Sequence, residues 1–544
     1  MNAAEAIAEV LRREGTAFLA CYPNQPLIEA CAHVGIRPIL CRQERVGMAI
    51  ADGFSRTTNG NRIGVFAMQV GPGTENAFPG AAQAFSDNVP ILLIPGGEST
   101  ERAFITPSFS SVESYSSVTK WAAQINHVER VPELMRRAFY HLRTGKPGPV
   151  LLEVPRNIWG MELNKELDYT PVRGNKSAAA PEEVEQVALI LLNAQCLVIH
   201  AGQGVLYAEA WEELRELAEL LQAPVMTTMP GKSGFPEDHP LALGASATST
   251  TKPISEFLHD ADVVFGIGCS FTRTSYGMTI PPGKLMVHST NDPSDVNKDY
   301  KADYALIGDA KLVLQALIQE LKDQVSRRGF IPRNNTGETV QTIKADWLEE
   351  WRPQLTSDEV PINPYRVIWD LMHHVDLANT IITHDAGSPR DQMVPFWQSV
   401  APRTYMGWGK STQLGYGLGL IMGAKLAEPH KLCINIMGDA AIGMVGMDIE
   451  SAVRSKIGIL TIVFNNGAMA IERRHMPFAT ERYGTLYVGG NYRDVAKALG
   501  GWAERVVKPE DLIPTLKKAV SVTETGTPAL IECITKEGYD FSRY

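Results

Sequence analysis

The sequence predicts an α/β protein with three doubly wound domains, each built around a mostly parallel sheet. Short apolar runs alternate with helix-length segments along the whole chain, which is typical of repeated β-α-β units. The 544 residues also exceed the roughly 100 to 200 residues that one domain usually contains. We therefore expect three hydrophobic cores of one general architecture.

Two polar stretches without periodicity divide the chain. Residues 169–181, YTPVRGNKSAAAP, are rich in proline and in small and polar residues, which is typical of a linker. Residues 323–338, DQVSRRGFIPRNNTGE, start a second connection that continues to about residue 363. We place the three domains at residues 1–170, 182–325 and 363–544.

Apolar runs of strand length occur in all three domains. The first contains AFLACYP (17–23), IRPILC (36–41), IGVFAMQ (63–69), ILLIP (91–95) and PVLLEVP (149–155). The second contains LVIHAG (197–202), PVMTTM (224–229), ADVVFGIG (261–268) and LMVHST (285–290). The third contains TIITHD (380–385), LCINIMGD (432–439), ILTIVFNN (459–466) and PALIECIT (528–535). The alternation predicts that domains one and three are two copies of one architecture.

Composition limits the kind of partner. Apolar residues make up 44% and charged residues 21%, close to the average of globular proteins. No apolar run reaches the roughly 18 to 20 residues that cross a bilayer, so we expect no membrane partner. The net charge of −10 lacks a Lys/Arg block, which argues against nucleic acid. A small molecule is the expected partner.

Cysteine usage and the first residues predict a cytoplasmic location. The seven cysteines are scattered without a CxxC pair, so neither a disulfide framework nor a structural zinc site is indicated. The opening MNAAEAIAEVLRREG carries acidic residues among its apolar positions and predicts an amphipathic helix rather than a signal peptide. A reducing compartment fits both observations.

Two side chains that offer oxygen ligands end neighbouring predicted strands of domain three. In GDAAIGMVGMDIESAVRSKIGILTIVFNN, Asp439 follows one strand and Asn466 ends the next, 27 residues later. Because a β-α-β unit returns the chain to the same sheet edge, both side chains should lie where ligands bind. A carboxylate, an amide oxygen, a backbone carbonyl and phosphate oxygens suit Mg²⁺. Taken singly, Asp439 also fits a helix cap and Asn466 a turn.

This stretch resembles the cofactor motif of thiamine diphosphate-dependent enzymes, which begins Gly-Asp-Gly and ends Asn-Asn at the same separation. Here Ala440 replaces the second glycine. The resemblance implies thiamine diphosphate and Mg²⁺ as cofactors, with Asp439, Asn466 and the Ala468 carbonyl as metal ligands. The other cofactor contacts that it implies are Pro23, Asn76, Gly387, Ser388, Thr412, Leu414, Gly438, Ala440, Ala441 and Met469.

A glutamate opens a helical run of domain one, CRQERVGMAIADGFSR (41–56). In isolation, Glu44 in a first helical turn only complements the helix dipole. The run resembles the R-H-E-x-x-A-x-x-x-A-D-G-Y-A-R stretch of the acetolactate synthase group, whose Glu binds the cofactor aminopyrimidine, although Gln43 replaces the His. By that resemblance Glu44 is the catalytic residue, and Leu414 lies beneath the bent cofactor.

The same resemblance implies the roles of the domains and an assembly. It extends through GPGTENAFPG (71–80), GWGKSTQLGYGLGL (407–420) and the central region, so it covers nearly the whole chain. The three domains would be the pyrimidine-binding, central and diphosphate-binding domains of the thiamine diphosphate enzyme fold. Because Glu44 and Asp439 belong to different domains, and relatives complete each active site across a subunit interface, we expect a homodimer or homotetramer.

The group implies a transferase or lyase that decarboxylates a 2-oxo acid and joins the remaining carbon unit to a carbonyl acceptor. Residues 101–121, ERAFITPSFSSVESYSSVTKW, lack the Phe-Gln-Glu stretch usual in acetolactate synthases, which leaves donor and acceptor open. Candidate substrate contacts are Asn24, Gln25, Ser108, Ser110 and Ser111. His384 and His475 are candidate proton donors.

Alternatives remain beside this reading. A 2-hydroxyacyl-CoA lyase or oxalyl-CoA decarboxylase shares the three domains but covers its acyl substrate with a basic C-terminus, whereas KEGYDFSRY has only Lys536 and Arg543. A non-catalytic cofactor-binding paralogue would be expected to lose Glu44 or the metal ligands. The central domain of relatives can hold FAD or an adenine nucleotide, and without a G-x-G-x-x-G motif its occupancy stays undecided.

Overall fold

The computed structural model describes residues 1–103, 105–329, 335–538 and 540–544. Across these residues the chain forms three parallel sheets of six strands each, with helices packed against them. The predicted α/β class with three parallel-sheet domains is confirmed. No helix in the described part of the chain is both long and apolar enough to cross a membrane. The domain boundaries themselves stay predictions.

The first sheet belongs to the N-terminal part of the chain. Its strands are β1 (Phe18–Tyr22), β2 (Arg37–Leu40), β3 (Gly64–Met68), β4 (Ile91–Gly97), β5 (Trp121–Gln124) and β6 (Val150–Pro155). Its helices are α1 (Ala3–Arg13), α2 (Gln25–His33), α3 (Glu44–Thr57), α4 (Pro72–Ser86), α5 (Ser111–Tyr115) and α6 (Val131–Arg143). The strand order is β2-β1-β3-β4-β6-β5. Strand β3 is buried throughout because helices cover both faces of the sheet.

The central sheet has a different order. Its strands are β7 (Leu197–Ala201), β8 (Val225–Thr228), β9 (Ala242–Ser246), β10 (Val263–Ile267), β11 (Leu285–Thr290) and β12 (Tyr304–Ile307). Its helices are α7 (Pro181–Asn193), α8 (Gln203–Tyr207), α9 (Trp211–Leu221), α10 (Lys252–Asp260) and α11 (Ala310–Arg328), and α12 (Thr336–Leu355) leads on to the third sheet. Reading β7 as the first strand, the order is 3-2-1-4-5-6, which is the order of dinucleotide-binding sheets.

The third sheet repeats the order of the first. Its strands are β13 (Thr380–His384), β14 (Tyr405–Met406), β15 (Leu432–Gly438), β16 (Leu460–Asn465), β17 (Trp502–Val506) and β18 (Ala529–Ile534). Its helices are α13 (Pro364–His374), α14 (Ser388–Phe396), α15 (Tyr416–Ala427), α16 (Asp439–Val445), α17 (Ile449–Ser455), α18 (Pro477–Tyr483), α19 (Tyr492–Ala498) and α20 (Leu512–Glu524). The order β14-β13-β15-β16-β18-β17 matches the first sheet position by position, as the repeated alternation predicts.

Helix α3 of the first domain packs directly on α15 of the third. A Cβ atom added to Gly53 would stand 2.0 Å from the Leu420 carbonyl oxygen, and one added to Gly423 would stand 2.1 Å from the Ile50 carbonyl oxygen. Only glycine permits backbones to approach this closely. One hydrophobic core cluster therefore includes residues of both domains.

Candidate active site

The carboxyl edge of the third sheet brings Asp439 and Asn466 together. Strands β15 and β16 pair in parallel with Gly438 opposite Phe464, so the two residues emerge from adjacent strand ends. The buried Asp439 carboxylate accepts hydrogen bonds from the backbone N–H groups of Ala440 at 2.7 Å, Asn466 at 3.1 Å and Gly467 at 2.7 Å. Burial raises the pKa of Asp439, and these N–H donors oppose the rise.

The turn after β16 contains the other predicted metal ligands. Asn466 Oδ1 accepts a hydrogen bond from the N–H of Ala468 at 3.0 Å, and the Ala468 carbonyl accepts one from the N–H of Ala470 at 2.9 Å. Gly467 adopts a φ of +72°, and a Cβ atom there would meet nothing within 4 Å. The turn therefore wraps around Asp439 and leaves open space beside it.

The end of β13 also lies at this edge. Gly387, with a φ of +89°, precedes α14, and a Cβ atom at Gly387 or Gly438 would also meet nothing within 4 Å. The carboxylate of Asp385 accepts hydrogen bonds from the N–H groups of Gly415 at 2.8 Å and Gly417 at 3.0 Å. Burial raises the pKa of Asp385 to about 6. Asp385, which the sequence analysis did not single out, thus fixes the start of α15 relative to α14.

The loop before α15 contains the predicted contacts Thr412 and Leu414. Thr412 has a φ of +44°, a left-handed conformation that is uncommon for a β-branched residue. Leu414 is half-buried and packs against the hydrophobic cluster that domains one and three share. The loop is therefore placed by contacts with both domains.

Glu44 lies at the first position of α3 and is 6% exposed. Burial raises the pKa of its carboxyl group, while a hydrogen bond with the Asn76 side chain lowers it. A Cβ atom at Gly73 would stand 3.4 Å from Glu44 Oε1, so the Gly71–Gly73 turn lies against the carboxyl group. Glu44 is therefore a buried carboxyl group that keeps its proton to a higher pH than an exposed glutamate does.

The chain just before Glu44 is tied to domain three. Gln43 Nε2 donates a hydrogen bond to the carbonyl of Met444 at 3.0 Å, and the N–H of Arg42 donates one to Asp448 Oδ1 at 2.7 Å. Gln43, which stands where the acetolactate synthase group has His, thus contacts the last turn of α16. These contacts fix the entry to α3.

Two of the predicted substrate contacts have structural partners. The buried Asn24 donates through Nδ2 to the carbonyls of Met68 at 3.3 Å and Ile94 at 3.2 Å, which joins the ends of β3 and β4. The buried Ser111 hydroxyl donates to the carboxylate of Glu153. Both side chains therefore form hydrogen bonds inside the first domain, and their role as substrate contacts stays a prediction.

The remaining predicted contacts in domain one are more accessible. Ser108, Ser110 and Gln25 are exposed, and Pro23 is half-buried at the end of β1. The hydroxyl of Ser110 accepts a hydrogen bond from the N–H of Glu113 and caps α5. Among the substrate candidates, Ser108 and Gln25 are therefore the side chains least involved in hydrogen bonds within the protein.

The two candidate proton donors differ in position. His384 is fully buried, and its ring stacks on Trp408 with centroids 5.3 Å apart. Burial lowers the pKa of His384 to about 3, so the ring is neutral and enclosed. This position does not suit the predicted role of proton donor. His475 is exposed after the turn that contains Asn466.

A cavity of about 620 Å³ lies among the three domains, at the carboxyl ends of β7 and β10. These strands flank the point where the order of the central sheet reverses, which is the usual ligand crevice of such sheets. Gly202 and Gly268 line it beside Lys146, Lys410 and the ring of Phe271. The cavity therefore combines an approachable backbone, an aromatic ring and two lysines, of which Lys146 is paired with Asp292 and Asp295.

Large apolar side chains in the segments that follow Asp439 and Asn466 along the chain are exposed. Phe478 is 68% exposed, Tyr483 70% and Tyr487 59%, and Tyr487 pairs with Ala468 through an isolated β-bridge. Met444, in the last turn of α16, and Met447, just after it, are also exposed. Such a concentration of apolar surface next to a site is typical of an interaction surface.

Comparison with known proteins identifies the family. Three family models match the chain: the thiamine pyrophosphate enzyme N-terminal TPP binding domain over residues 1–111, the central domain over 184–317 and the C-terminal TPP binding domain over 385–533. The probable acetolactate synthase large subunit of Methanocaldococcus jannaschii is 30% identical over 568 aligned positions, which cover 98% of this chain and 92% of that protein. The chain belongs to the thiamine pyrophosphate enzymes.

Other relatives of this thiamine pyrophosphate enzyme are named as a carboligase and as an acetolactate synthase. Glyoxylate carboligase of Escherichia coli O157:H7 is 26% identical, with 98% of this chain and 93% of the relative covered. Acetolactate synthase isozyme 3 large subunit of Escherichia coli K12 is 23% identical, with 99% and 95% covered. The resemblance stated from the sequence is confirmed: this is a thiamine diphosphate-dependent, acetolactate synthase-like enzyme.

The pH dependence of stability should reveal the burial of the Asp448 carboxyl group. Burial raises the pKa of Asp448 to about 6, above the ordinary 3.8, and Oδ2 has no hydrogen-bond partner among the described residues. The protonated form is therefore favoured in the folded chain, and its contribution, present at low pH, is lost as the pH rises through about 6. Asp448→Asn mimics that form, so its melting temperature relative to the unmodified enzyme should rise between about pH 5 and pH 8.

Between the two pH values, the free energy of unfolding of Asp448→Asn relative to the unmodified enzyme should change by roughly 1 to 3 kcal/mol. Thermal unfolding at both pH values measures it, with the exposed Asp511→Asn as the matched control that shows no such trend. An offset between Asp448→Asn and the unmodified enzyme that is the same at both pH values would contradict this account.

Proposed function

We propose that the enzyme decarboxylates a 2-oxo acid and joins the remaining carbon unit to a carbonyl acceptor. The proposal rests on two buried carboxyl groups, Glu44 at the start of α3 and Asp439 beside Asn466 at the edge of the third sheet. The names of the relatives, acetolactate synthase and glyoxylate carboligase, support carboligation rather than decarboxylation alone.

The residues at the Asp439 edge suit a magnesium diphosphate. Asp439, Asn466 and the Ala468 carbonyl would hold Mg²⁺, and the remaining oxygen ligands would come from the diphosphate and water, because no group of three His, Cys, Asp or Glu lies together in the described chain. The open space beside the glycines at the strand ends fits a bulky anion. Its neighbours would be Gly387, Ser388, Gly438, Ala440, Ala441 and Met469.

Residues of domains one and three would divide the remaining work. When bound, thiamine diphosphate supplies a nucleophilic carbon and an electron sink. Glu44, whose pKa burial raises, would hold a proton against the pyrimidine ring, and Asn76 would orient its carboxyl group. Leu414, supported by Thr412 in its loop, would press on the cofactor from the domain-three side and exclude water. Each of these roles depends on where the side chain lies and needs no further reactive group.

Replacing Glu44 with Gln should lower kcat by roughly 10² to 10⁴, because an amide cannot exchange the proton that the carboxyl group holds. The assay supplies thiamine diphosphate, Mg²⁺ and pyruvate or 2-oxobutanoate, and follows CO₂ and the products by mass spectrometry. Glu133→Gln, a change of an exposed glutamate on α6, is the matched control and should keep full activity.

The outcomes of this assay separate the candidate reactions. Acetolactate-type products that disappear in Glu44→Gln would support the proposal. Cofactor binding without turnover of either 2-oxo acid would favour an acyl-CoA substrate. Failure of the unmodified enzyme to bind thiamine diphosphate would contradict the site as a whole.

The C-terminal segment bears on the acyl-CoA alternative. Ser542 Oγ donates to the Thr250 carbonyl at 2.6 Å and accepts from Trp347 Nε1 at 3.1 Å, while the Tyr365 hydroxyl donates to the Asp540 carbonyl at 2.6 Å. These contacts hold residues 540–544 against α12 and the central domain. Residues 540–544 are thus engaged within their own chain, which favours a 2-oxo acid over an acyl-CoA substrate.

The non-catalytic alternative has less support. Such a paralogue would keep the fold without the groups that activate the cofactor. Here Glu44 and Asp439 are both present and both buried, and the pKa of each carboxyl group is raised by burial. Burying carboxyl groups disfavours folding unless their contacts compensate, so their retention supports catalysis.

An active site shared between two subunits is part of the proposal. The exposed apolar residues in the segments that follow Asp439 and Asn466 are Met444, Met447, Phe478, Tyr483 and Tyr487. A second copy of the chain would cover them and bring its own Glu44 to this edge. The expected assembly is a homodimer, or a homotetramer made of two such dimers.

Mixed dimers should distinguish shared from separate sites. We expect a dimer of one Glu44→Gln subunit and one Asp439→Asn subunit, purified through two different tags, to have about half the activity of the unmodified dimer. One of its two sites would combine an unaltered Glu44 with an unaltered Asp439. The matched single-variant dimers should be nearly inactive, and an equally inactive mixed dimer would show that each chain forms its own site.

A nucleotide in the central cavity is a further part of the proposal. The 3-2-1-4-5-6 strand order, the position at the reversal point and the charge of Lys410 favour an adenine nucleotide, either alone or within FAD. Denaturing the purified enzyme should release it for mass spectrometry, and visible absorbance separates FAD from ADP. Absence of a released nucleotide, together with no calorimetric binding of ADP, would contradict this assignment.

A cytoplasmic location completes the proposal. All seven cysteines are free, and six of them are buried. Free thiols without disulfides are typical of proteins that remain in a reducing compartment.

A further inference from the structure

The loop from Gly407 to Tyr416 has an unfavourable backbone. Gly409, Thr412 and Gly415 have φ values of +141°, +44° and +88°. The left-handed region is disfavoured for a β-branched residue, so Thr412 keeps this conformation only where surrounding contacts impose it. Those contacts come from another domain.

Two buried side chains at the end of α4 bind the backbone of this loop. The carboxylate of Asp87 accepts hydrogen bonds from the N–H of Gly409 at 3.3 Å and of Lys410 at 3.2 Å. Gln83 Oε1 accepts one from the N–H of Gln413 at 3.0 Å. The bound amides lie on both sides of Thr412, so domain one determines how this loop of domain three is shaped.

A charged network holds the two anchors in place. Gln83 Nε2 donates to Asp87 Oδ2 at 2.9 Å, and Arg56 Nη2 donates to the same oxygen at 3.4 Å. Arg56 also forms a double hydrogen bond with Asp52, at 2.9 and 3.1 Å. All four side chains are buried, so they keep one arrangement.

The same network reaches both ends of the loop. Arg56 Nη1 donates to the Gly407 carbonyl at 3.0 Å, and the Tyr416 hydroxyl donates to Asp52 Oδ2 at 3.0 Å. Helix α3 begins at Glu44, and α4 begins at the turn beside Asn76. The C-terminal ends of both helices hold the loop that contains Thr412 and Leu414.

We propose that Gln83 and Asp87 are positioning residues, which act through the loop backbone to preset Thr412 and Leu414 for the cofactor. The inference rests on the proposed function, because it takes these two residues as cofactor contacts. Without its anchors the loop would relax, and only a fraction of molecules would have the binding conformation. The apparent affinity for thiamine diphosphate would fall by that fraction.

Gln83→Met tests the inference, since methionine keeps the length and burial of the side chain but removes the acceptor for Gln413. Asp87→Asn is a second variant that keeps the shape of the side chain. Ser55→Ala is the matched control, because Ser55 is buried on α3 and accepts a hydrogen bond from the N–H of Gly64 at 2.7 Å, outside the loop.

Three quantities should be measured for each protein. They are amide hydrogen exchange of Gly409, Lys410 and Gln413 without cofactor, the Kd of thiamine diphosphate with Mg²⁺ from the fluorescence of Trp408, and kcat at increasing cofactor concentration. We expect about tenfold faster exchange and about tenfold higher Kd in Gln83→Met or Asp87→Asn, with kcat recovered at saturating cofactor. Ser55→Ala should lower the melting temperature without changing exchange or Kd.

Unchanged exchange and Kd in both anchor variants would overturn the inference, as would an equal rise of Kd in Ser55→Ala. If the unmodified enzyme fails to bind thiamine diphosphate, the proposed function fails and the inference fails with it. If the unmodified enzyme binds the cofactor and the anchor variants bind it equally well, only the inference fails.

Discussion

The contact between α3 and α15 is the constraint on which the arrangement of the two cofactor domains depends. At Gly53, Gly419 and Gly423 an added Cβ atom would stand 2.0 to 2.5 Å from a carbonyl oxygen of the facing helix. The helix backbones therefore touch, and neither helix can shift without separating the domains. Glu44 begins one of these helices and Leu414 lies just before the other, so their relative position within one chain is fixed by packing.

Buried charge gives the same interface its specificity. Arg56 lies between Asp52 and Asp87 in a region closed to solvent, where ions cost more free energy to bury than apolar residues unless all their hydrogen bonds are made. Arg56 also binds the Gly407 carbonyl, and Asp87 binds two N–H groups of the following loop. An apolar replacement could fill the space but could not hold a backbone that favours another conformation.

In all three sheets, the features that we assign to ligand binding lie at the carboxyl ends of the parallel strands. Domains one and three have the same strand order, and their carboxyl edges carry Asn76 with the entrance to α3 and the Asp439 turn. The central sheet has the order of dinucleotide-binding domains and places a cavity at its reversal point. In each case the ligand site follows from where parallel strands end, which explains why a small number of local motifs indicated the family.

The sequence by itself determined the α/β class, the central strands and the pairing of Asp439 with Asn466, because each depends on periodicity or spacing within a β-α-β unit. It did not reveal β5, β9, β12, β14 or β17, all of which lie at sheet edges where short strands carry a weak apolar pattern. Only the tertiary structure decided that Asn24 and Ser111 bind inside domain one, and that Gln83 holds a loop 330 residues away. Such contacts depend on how whole domains pack, which no local pattern in the chain encodes.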